Sequence, residues 1–178
     1  MPRRSYASFA FVLLVSAVVG CAGGESSKGR AQNERTVTET RPAEAAAYIA
    51  KGDALCADVQ VDAAKLRRDA EALQAKEERL TKPEFLRRAA AFWSKQIAFI
   101  ERFHRRFKAL GAPPGDEPRV REFLRSIDDG LETAREIQTT LGRGKEVPRS
   151  LVEDYGRAVV RGNTLAQAYG FQVCGRQG

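Results

Sequence analysis

Apolar residues recur at spacings of three and four through most of residues 43–178, which is the period of an amphipathic helix. An alternation typical of a strand never lasts beyond a few residues, and no internal repeat is recognisable. Prolines, glycines and capping residues divide the pattern into four segments. The sequence therefore predicts an all-α domain of four helices.

The first predicted helix follows Pro42 and runs to Leu80. Its apolar stripe comprises Ile49, Gly52, Cys56, Val59, Ala63, Leu66, Ala70, Leu73 and Leu80. The second begins at Thr81, with Pro83 in its first turn, and ends before Gly111. Its inner face comprises Leu86, Ala89, Trp93, Ile97, Ile100, Phe103, Phe107 and Leu110, widened by Phe85, Phe92 and Phe99.

The third predicted helix follows Asp116 and Pro118 and ends near Gly142, and the fourth runs from about Pro148 to Gly170. Four apolar stripes joined by short connections are buried most simply in an up-down-up-down four-helix bundle. At 1.5 Å per residue the first helix is roughly 55 Å long and the others roughly 35 to 40 Å. The excess length is expected to project beyond the bundle at the N-terminal side.

The N-terminus has the charged, apolar and small-residue order of a secretory signal peptide. Arg3 and Arg4 precede an apolar stretch at residues 9–19, and small residues follow at positions 20–22. About a dozen apolar residues are too few for a membrane-spanning helix, which needs about 20. We assign residues 1–20 to a signal peptide rather than to a permanent transmembrane anchor.

The segment Val18-Val19-Gly20-Cys21 resembles the lipobox of bacterial lipoproteins. The resemblance implies cleavage after Gly20, a diacylglyceryl thioether on Cys21, and an extracytoplasmic protein anchored to the cell membrane, or to the outer membrane if the source has two membranes. Two acyl chains anchor far better than one, at about 0.8 kcal/mol per buried CH₂. The alternative is an ordinary signal peptide cleaved after Ala22, because Gly20 and Ala22 also fit the small-x-small pattern.

Residues 21–42 are mostly polar, and Val37 is almost the only large apolar residue among them. Such a segment cannot bury enough surface to offset the entropy of ordering. It predicts a flexible tether with a mean reach of roughly 25 Å. The helical domain, residues 43–178, would then stand just off the membrane.

Three cysteines are an awkward number in an oxidising compartment, but lipidation of Cys21 leaves Cys56 and Cys174 as a pair. Antiparallel pairing of the helices places the end of the second helix beside Gly52, and the end of the fourth at the same level. Cys174 therefore arrives beside Cys56, and we expect a disulfide between them. The alternative is two buried free thiols.

The residues around both cysteines resemble small exported helical proteins and lipoproteins of actinobacteria. The resemblance rests on the run from Ala47 to Cys56 and on the ending Gly170-Phe171-Gln172-Val173-Cys174-Gly175, and Gly52 departs from the more usual Ala. It implies the same helical fold and location, and no activity.

Candidate chemistry is sparse. Glu101 and His104 have the Glu-x-x-His spacing of di-iron bundles, but such sites need two of these motifs and His104 is the only histidine, so we interpret it as a residue at the edge of the core. The acidic pairs at 77–78 and 128–129 are typical of exposed helix surface. No nucleophile elbow, phosphate loop or haem motif is recognisable. We expect no enzyme activity, metal or cofactor.

The second helix carries a basic face together with aromatic residues, a combination that can bind nucleic acid or an anionic membrane. The aromatic residues have core spacing, which favours an ordinary solvated basic face instead. Removing Arg3 and Arg4 lowers the formal charge from +7 to +5. No nucleic-acid partner is expected, whereas anionic envelope polymers could still be attracted.

Together these features predict a non-enzymatic lipoprotein whose domain contacts a protein or an anionic polymer of the cell envelope. The alternative function is binding of a small apolar ligand in the aromatic core, with Trp93, Phe103 and Phe107 as ligand-binding residues. A cavity lined by these rings would favour the ligand-binding protein. A filled core with an exposed apolar patch would favour the interaction module.

Overall fold

The computed structural model describes residues 43–175, and every regular element among them is helical. Helix α1 spans Ala43–Gln74, α2 spans Lys82–Lys108, α3 spans Glu117–Gly142 and α4 spans Arg149–Tyr169. A short 3₁₀ helix at Glu77–Arg79 lies between α1 and α2. The predicted all-α class and the four helices are confirmed.

The helix boundaries follow the local signals in the sequence. Glu84 closes the first turn of α2, because one carboxylate oxygen accepts hydrogen bonds from the Thr81 backbone N–H at 3.1 Å and from the Thr81 hydroxyl at 2.8 Å. These two bonds lower the pKa of Glu84. At the other end of the domain, Gly170 ends α4 with a left-handed φ of 109°.

Two expectations for the first helix were wrong. The helix ends at Gln74 rather than at Leu80, because the charged residues at 76–79 offer no apolar face to continue it and form a turn and the 3₁₀ helix instead. Its N-terminal part does not project, since Ala45 and Tyr48 are both buried. At 32 residues α1 is nevertheless the longest helix, about 48 Å long.

Helices that follow one another in the chain pack against one another: α1 against α2, α2 against α3, and α3 against α4. This arrangement is the predicted up-down-up-down bundle. Small residues shape the contact between α3 and α4, where a Cβ built on Gly162 would lie 3.1 Å from the Ser126 hydroxyl oxygen. A side chain at position 162 would therefore require the Ser126 hydroxyl to shift by a few tenths of an ångström.

The core divides into two groups of buried side chains. The Trp93 cluster lies at the end where the 75–81 and 143–148 connections join the helices, and comprises Ala70, Leu86, Ala89, Ala90, Phe92, Trp93, Ala134, Ile137, Leu141, Val147 and Tyr155. The Phe107 cluster lies at the opposite end and comprises Tyr48, Leu55, Cys56, Phe107, Val120, Phe123, Ala166, Tyr169, Phe171 and Cys174. The second cluster includes residues beyond the last helix.

Between the two clusters, α1 is joined to α2 by a row of ion pairs that we call the α1–α2 ladder. Its pairs are Asp58–Arg106 at 2.7 Å, Asp62–Arg102 at 3.9 Å and Asp69–Lys95 at 2.9 Å. From one pair to the next, the residue number on α1 rises by as much as the residue number on α2 falls, as expected for antiparallel helices. All six side chains are at least one-third exposed, so the ladder guides alignment more than it stabilises the fold.

Candidate functional site

The most unusual local structure is the C-terminal segment Phe171–Gly175, which turns back over α1 after α4 ends. Cys174 in this segment forms a disulfide with Cys56 of α1, with the two Cα atoms 5.4 Å apart and a separation of 118 positions in the sequence. The predicted pairing is therefore confirmed. It joins α1 to the segment that follows α4, at the end of the bundle that contains the Phe107 cluster.

Asp53 of α1 holds the same segment through its backbone. Its carboxylate accepts hydrogen bonds from three successive N–H groups, those of Gln172 at 2.9 Å, Val173 at 2.8 Å and Cys174 at 3.2 Å. Such charge-assisted bonds are among the stronger ones in proteins. Sequence reasoning missed Asp53, although its position three residues before Cys56 places both on one face of α1.

Gly52 leaves space on α1 for the Phe171 side chain of the C-terminal segment. A Cβ built on Gly52 would lie 2.4 Å from Cε1 of Phe171, closer than real Cβ contacts allow, and 3.1 Å from Cζ of Phe107, which is a tight contact. The Phe171 ring therefore occupies space that an alanine would need.

Five aromatic rings fill this end of the bundle, and Tyr48 lies among them. Its ring contacts those of Phe107, Tyr169 and Phe171, with centroids 5.6 to 5.9 Å apart. Burial raises the pKa of Tyr48 to about 12, and its hydroxyl has no hydrogen-bond partner among the described residues. A phenol that stays protonated at neutral pH cannot act as a general base there.

The three residues predicted to bind an apolar ligand do not come together. Trp93 belongs to one cluster and packs edge-on against Tyr155 at 5.0 Å, whereas Phe103 and Phe107 lie at the other end with their rings 5.5 Å apart. Their neighbours are other rings and aliphatic side chains. The structure therefore offers these residues no common cavity.

An open depression of about 470 Å³ lies on the surface between α1 and the end of α2. Its floor is apolar and its rim carries cations, and it is lined by Lys51, Ala54, Leu55, Arg106, Ala109 and Leu110. A concave apolar surface with a charged rim suits contact with another macromolecule better than enclosure of a small ligand.

The candidate metal residues point to different partners. Glu101 accepts a hydrogen bond from Arg135 of α3 at 2.7 Å, and Nδ1 of His104 lies 3.5 Å from a carboxylate oxygen of Asp128. Nε2 of His104 is buried and has no partner in the described part of the chain. Across residues 43–175, no three histidine, cysteine or acidic side chains are grouped closely enough to hold a metal ion.

The acidic pairs also diverge. Asp128 faces His104 of α2, whereas Asp129 lies 3.6 Å from Arg161 of α4. Glu78, in the 3₁₀ helix, is exposed. Asp128 and Asp129 therefore do not form the facing carboxylates that acid–base chemistry needs.

The basic face of α2 is partly neutralised. Three of its cations belong to the α1–α2 ladder, while Arg87, Arg88, Arg105 and Lys108 are exposed. Trp93 is buried, as its core spacing predicted. The basic residues and the aromatic rings therefore do not form one continuous surface on which nucleic-acid bases could stack.

Comparisons with protein-family models, with curated proteins and with solved structures found no match. No helix between residues 43 and 175 combines the length and apolar character that a bilayer-spanning segment needs. The lipidation residue Cys21 and the predicted tether lie outside the described residues. What the described chain defines is a four-helix bundle closed by a disulfide.

Proposed function

We propose that this protein is a lipid-anchored extracytoplasmic module without enzyme activity, which contacts a partner in the cell envelope. The observation that carries the proposal is the Cys56–Cys174 disulfide. Disulfides persist in oxidising compartments, which supports export. The pairing also leaves Cys21 as the third cysteine, at the position where the lipobox resemblance calls for lipidation.

The interaction surface that we propose is the depression between α1 and α2. Ala54, Ala109 and Leu110 supply an apolar floor, and Lys51 adds a cation at its rim. The partner is an envelope protein or an anionic envelope polymer, both of which fit apolar contact combined with positive charge. The depression lies near the start of α1, where residues 21–42 join the domain.

The alternative, a protein that binds a small apolar ligand, has less support. It requires Trp93, Phe103 and Phe107 to share a cavity, and these residues are divided between the two ends of the bundle. Recovery of one apolar compound in stoichiometric amount from the purified native protein would favour this alternative over the interaction module.

Replacement of Cys21 tests the anchor. The Cys21→Ala variant is expected to leave the membrane fraction after a high-salt wash, whereas the wild-type protein stays and its N-terminal peptide carries a diacylglyceryl mass. The Cys56→Ser/Cys174→Ser variant is the matched control and should remain anchored. A Cys21→Ala protein that stays membrane-bound contradicts the proposed location.

Photo-crosslinking tests the interaction surface. A photoreactive residue at Ala54, in the depression, is expected to capture a defined partner in intact cells. The control is the same residue at Val61, which is on the same helix and 76% exposed but does not line the depression. Equal capture from both positions, or none from Ala54, would contradict the proposed surface.

A further inference from the structure

The C-terminal segment is held by three sets of contacts that do not involve the disulfide. One is the Asp53 carboxylate with its three backbone N–H donors, and another is the Phe171 ring seated against Gly52. Gln167 of α4 adds a third, because its side-chain amide donates a hydrogen bond to the Gly175 carbonyl at 2.5 Å. None of these contacts requires a bond between the sulfur atoms.

We propose that the segment Phe171–Gly175 is a latch that docks on α1 before oxidation, and that the disulfide then locks it. In the reduced protein, Asp53 and the Gly52 recess hold the Cys174 thiol beside the Cys56 thiol. Asp53 is thus a positioning residue for disulfide formation. The latch also stays closed when the disulfide is reduced.

The physical basis is effective concentration. Two thiols 118 positions apart would rarely come into contact in an unfolded chain, because closing a long loop has an entropic cost. In the folded protein, helix packing and docking of the segment have already closed the loop, so forming the disulfide requires little further loss of chain entropy. Asp53 lies one turn from Cys56 on the same helix, so its hydrogen bond to the Cys174 N–H fixes the reacting residue itself.

The oxidation requires a disulfide oxidant, for which oxidised glutathione serves as the probe. One cysteine thiolate attacks the probe, forms a mixed disulfide and releases one glutathione thiolate. The other cysteine thiolate attacks the protein sulfur of that mixed disulfide and releases the second. Two protein thiols are oxidised, one glutathione disulfide becomes two glutathione thiols, and the two protons from the cysteines end on those thiols.

The first test measures, for the mature chain, the equilibrium constant for oxidation of the Cys56 and Cys174 thiols to the disulfide by oxidised glutathione. Asp53→Ala is expected to lower it by about tenfold or more, because three hydrogen bonds to a charged group are lost. Asp58→Ala is the matched control, since it removes the same charge from a residue five positions further along α1, where the carboxylate pairs with Arg106 and not with the C-terminal segment. It should change the constant by less than about threefold. Equal losses in the two variants overturn the proposal.

The second test does not depend on oxidation. In the Cys56→Ser/Cys174→Ser protein, amide exchange measured by NMR is expected to remain slow at Gln172 and Val173, whose N–H groups bond to Asp53. Adding Asp53→Ala should raise their exchange at least about tenfold while amides in the middle of α3 stay protected. Exchange at the rate of an unstructured peptide in the serine variant alone would show that the disulfide, and not the latch, places the segment.

Discussion

The Trp93 cluster and the Phe107 cluster lie at opposite ends of the same four helices, yet they are built differently. At the Trp93 end, two short connections join the helices in pairs, and four alanines let the helices approach closely. At the Phe107 end there is one connection, and both α1 and α4 have their free ends there. Five aromatic rings and a disulfide occupy this end. The disulfide thus links α1 to the segment after α4 at the end where the chain does not connect these two helices.

Loss of the disulfide is expected to have the largest effect on the free energy of unfolding, while the native structure at the Trp93 end stays unchanged. In the chain-entropy model, opening a loop of 118 residues lowers the free energy of unfolding by about 4 to 5 kcal/mol. Chemical denaturation of the Cys56→Ser/Cys174→Ser protein measures this. Trp93, the only tryptophan, is buried at the other end and should keep its emission maximum in the native variant. A shifted maximum without denaturant would mean that the two ends are not independent.

Removal of the Phe107 ring ranks next. Its side chain is fully buried and contacts the rings of Tyr48, Phe123 and Phe171, so Phe107→Ala should lower the free energy of unfolding by about 3 to 5 kcal/mol. Phe99, on the same helix but only partly buried, is the matched control, and Phe99→Ala should cost about 1 kcal/mol. Similar losses for both would mean that the Phe107 cluster is less tightly packed than its ring contacts indicate.

The two ends also differ in how far the sequence predicts them. Helix periodicity and capping residues give the four helices, and antiparallel registration gives the meeting of Cys56 with Cys174. The periodicity does not reveal Asp53, because its partners are backbone groups of a segment without regular structure. Nor does it reveal the recess at Gly52, which depends on a ring 119 residues away. Contacts made by irregular segments depend on tertiary placement and carry no local pattern.

Filling the recess at Gly52 should have an intermediate effect. Gly52→Ala forces the Phe171 ring to move and is expected to lower the free energy of unfolding by about 1 to 3 kcal/mol. Gly130→Ala is the control and should raise the free energy of unfolding. Its new Cβ would lie 3.7 Å from Ala158, an ordinary contact, and alanine favours the helix by about 1 kcal/mol.

Adding Phe171→Leu to Gly52→Ala tests the cause, because the smaller side chain should restore part of the lost stability. Thermal or chemical denaturation of the four proteins measures the coupling. Additive effects would show that the cost of Gly52→Ala arises elsewhere than at the Phe171 ring.

The α1–α2 ladder, which lies between the two ends, should contribute least. Replacing Asp58, Asp62 and Asp69 together by Asn is expected to lower the free energy of unfolding by about 1 kcal/mol or less, because exposed ion pairs are weak. In 1 M salt the difference in stability between this variant and the wild type should disappear, because the Debye screening length falls to about 3 Å. A much larger loss that disappears in 1 M salt would show that α1 is held chiefly by the ladder rather than by its apolar contacts at the two ends. A loss that persists in 1 M salt would show that the three aspartates stabilise α1 by something other than their charge.

The pH dependence of the same ladder has a defined sign. The hydrogen bond from Lys95, supported by nearby positive charge and only partly opposed by desolvation, keeps the pKa of Asp69 below its ordinary value of 3.8. A carboxylate whose pKa is lower in the folded than in the unfolded state stabilises the fold above pH 3.8, and this contribution is lost as the pH falls through the folded-state value. Lys95→Gln should therefore be slightly less stable than wild type at neutral pH and match it at about pH 2. If the difference persists at low pH, Lys95 stabilises the helix pair through packing of its aliphatic stem and not through its charge.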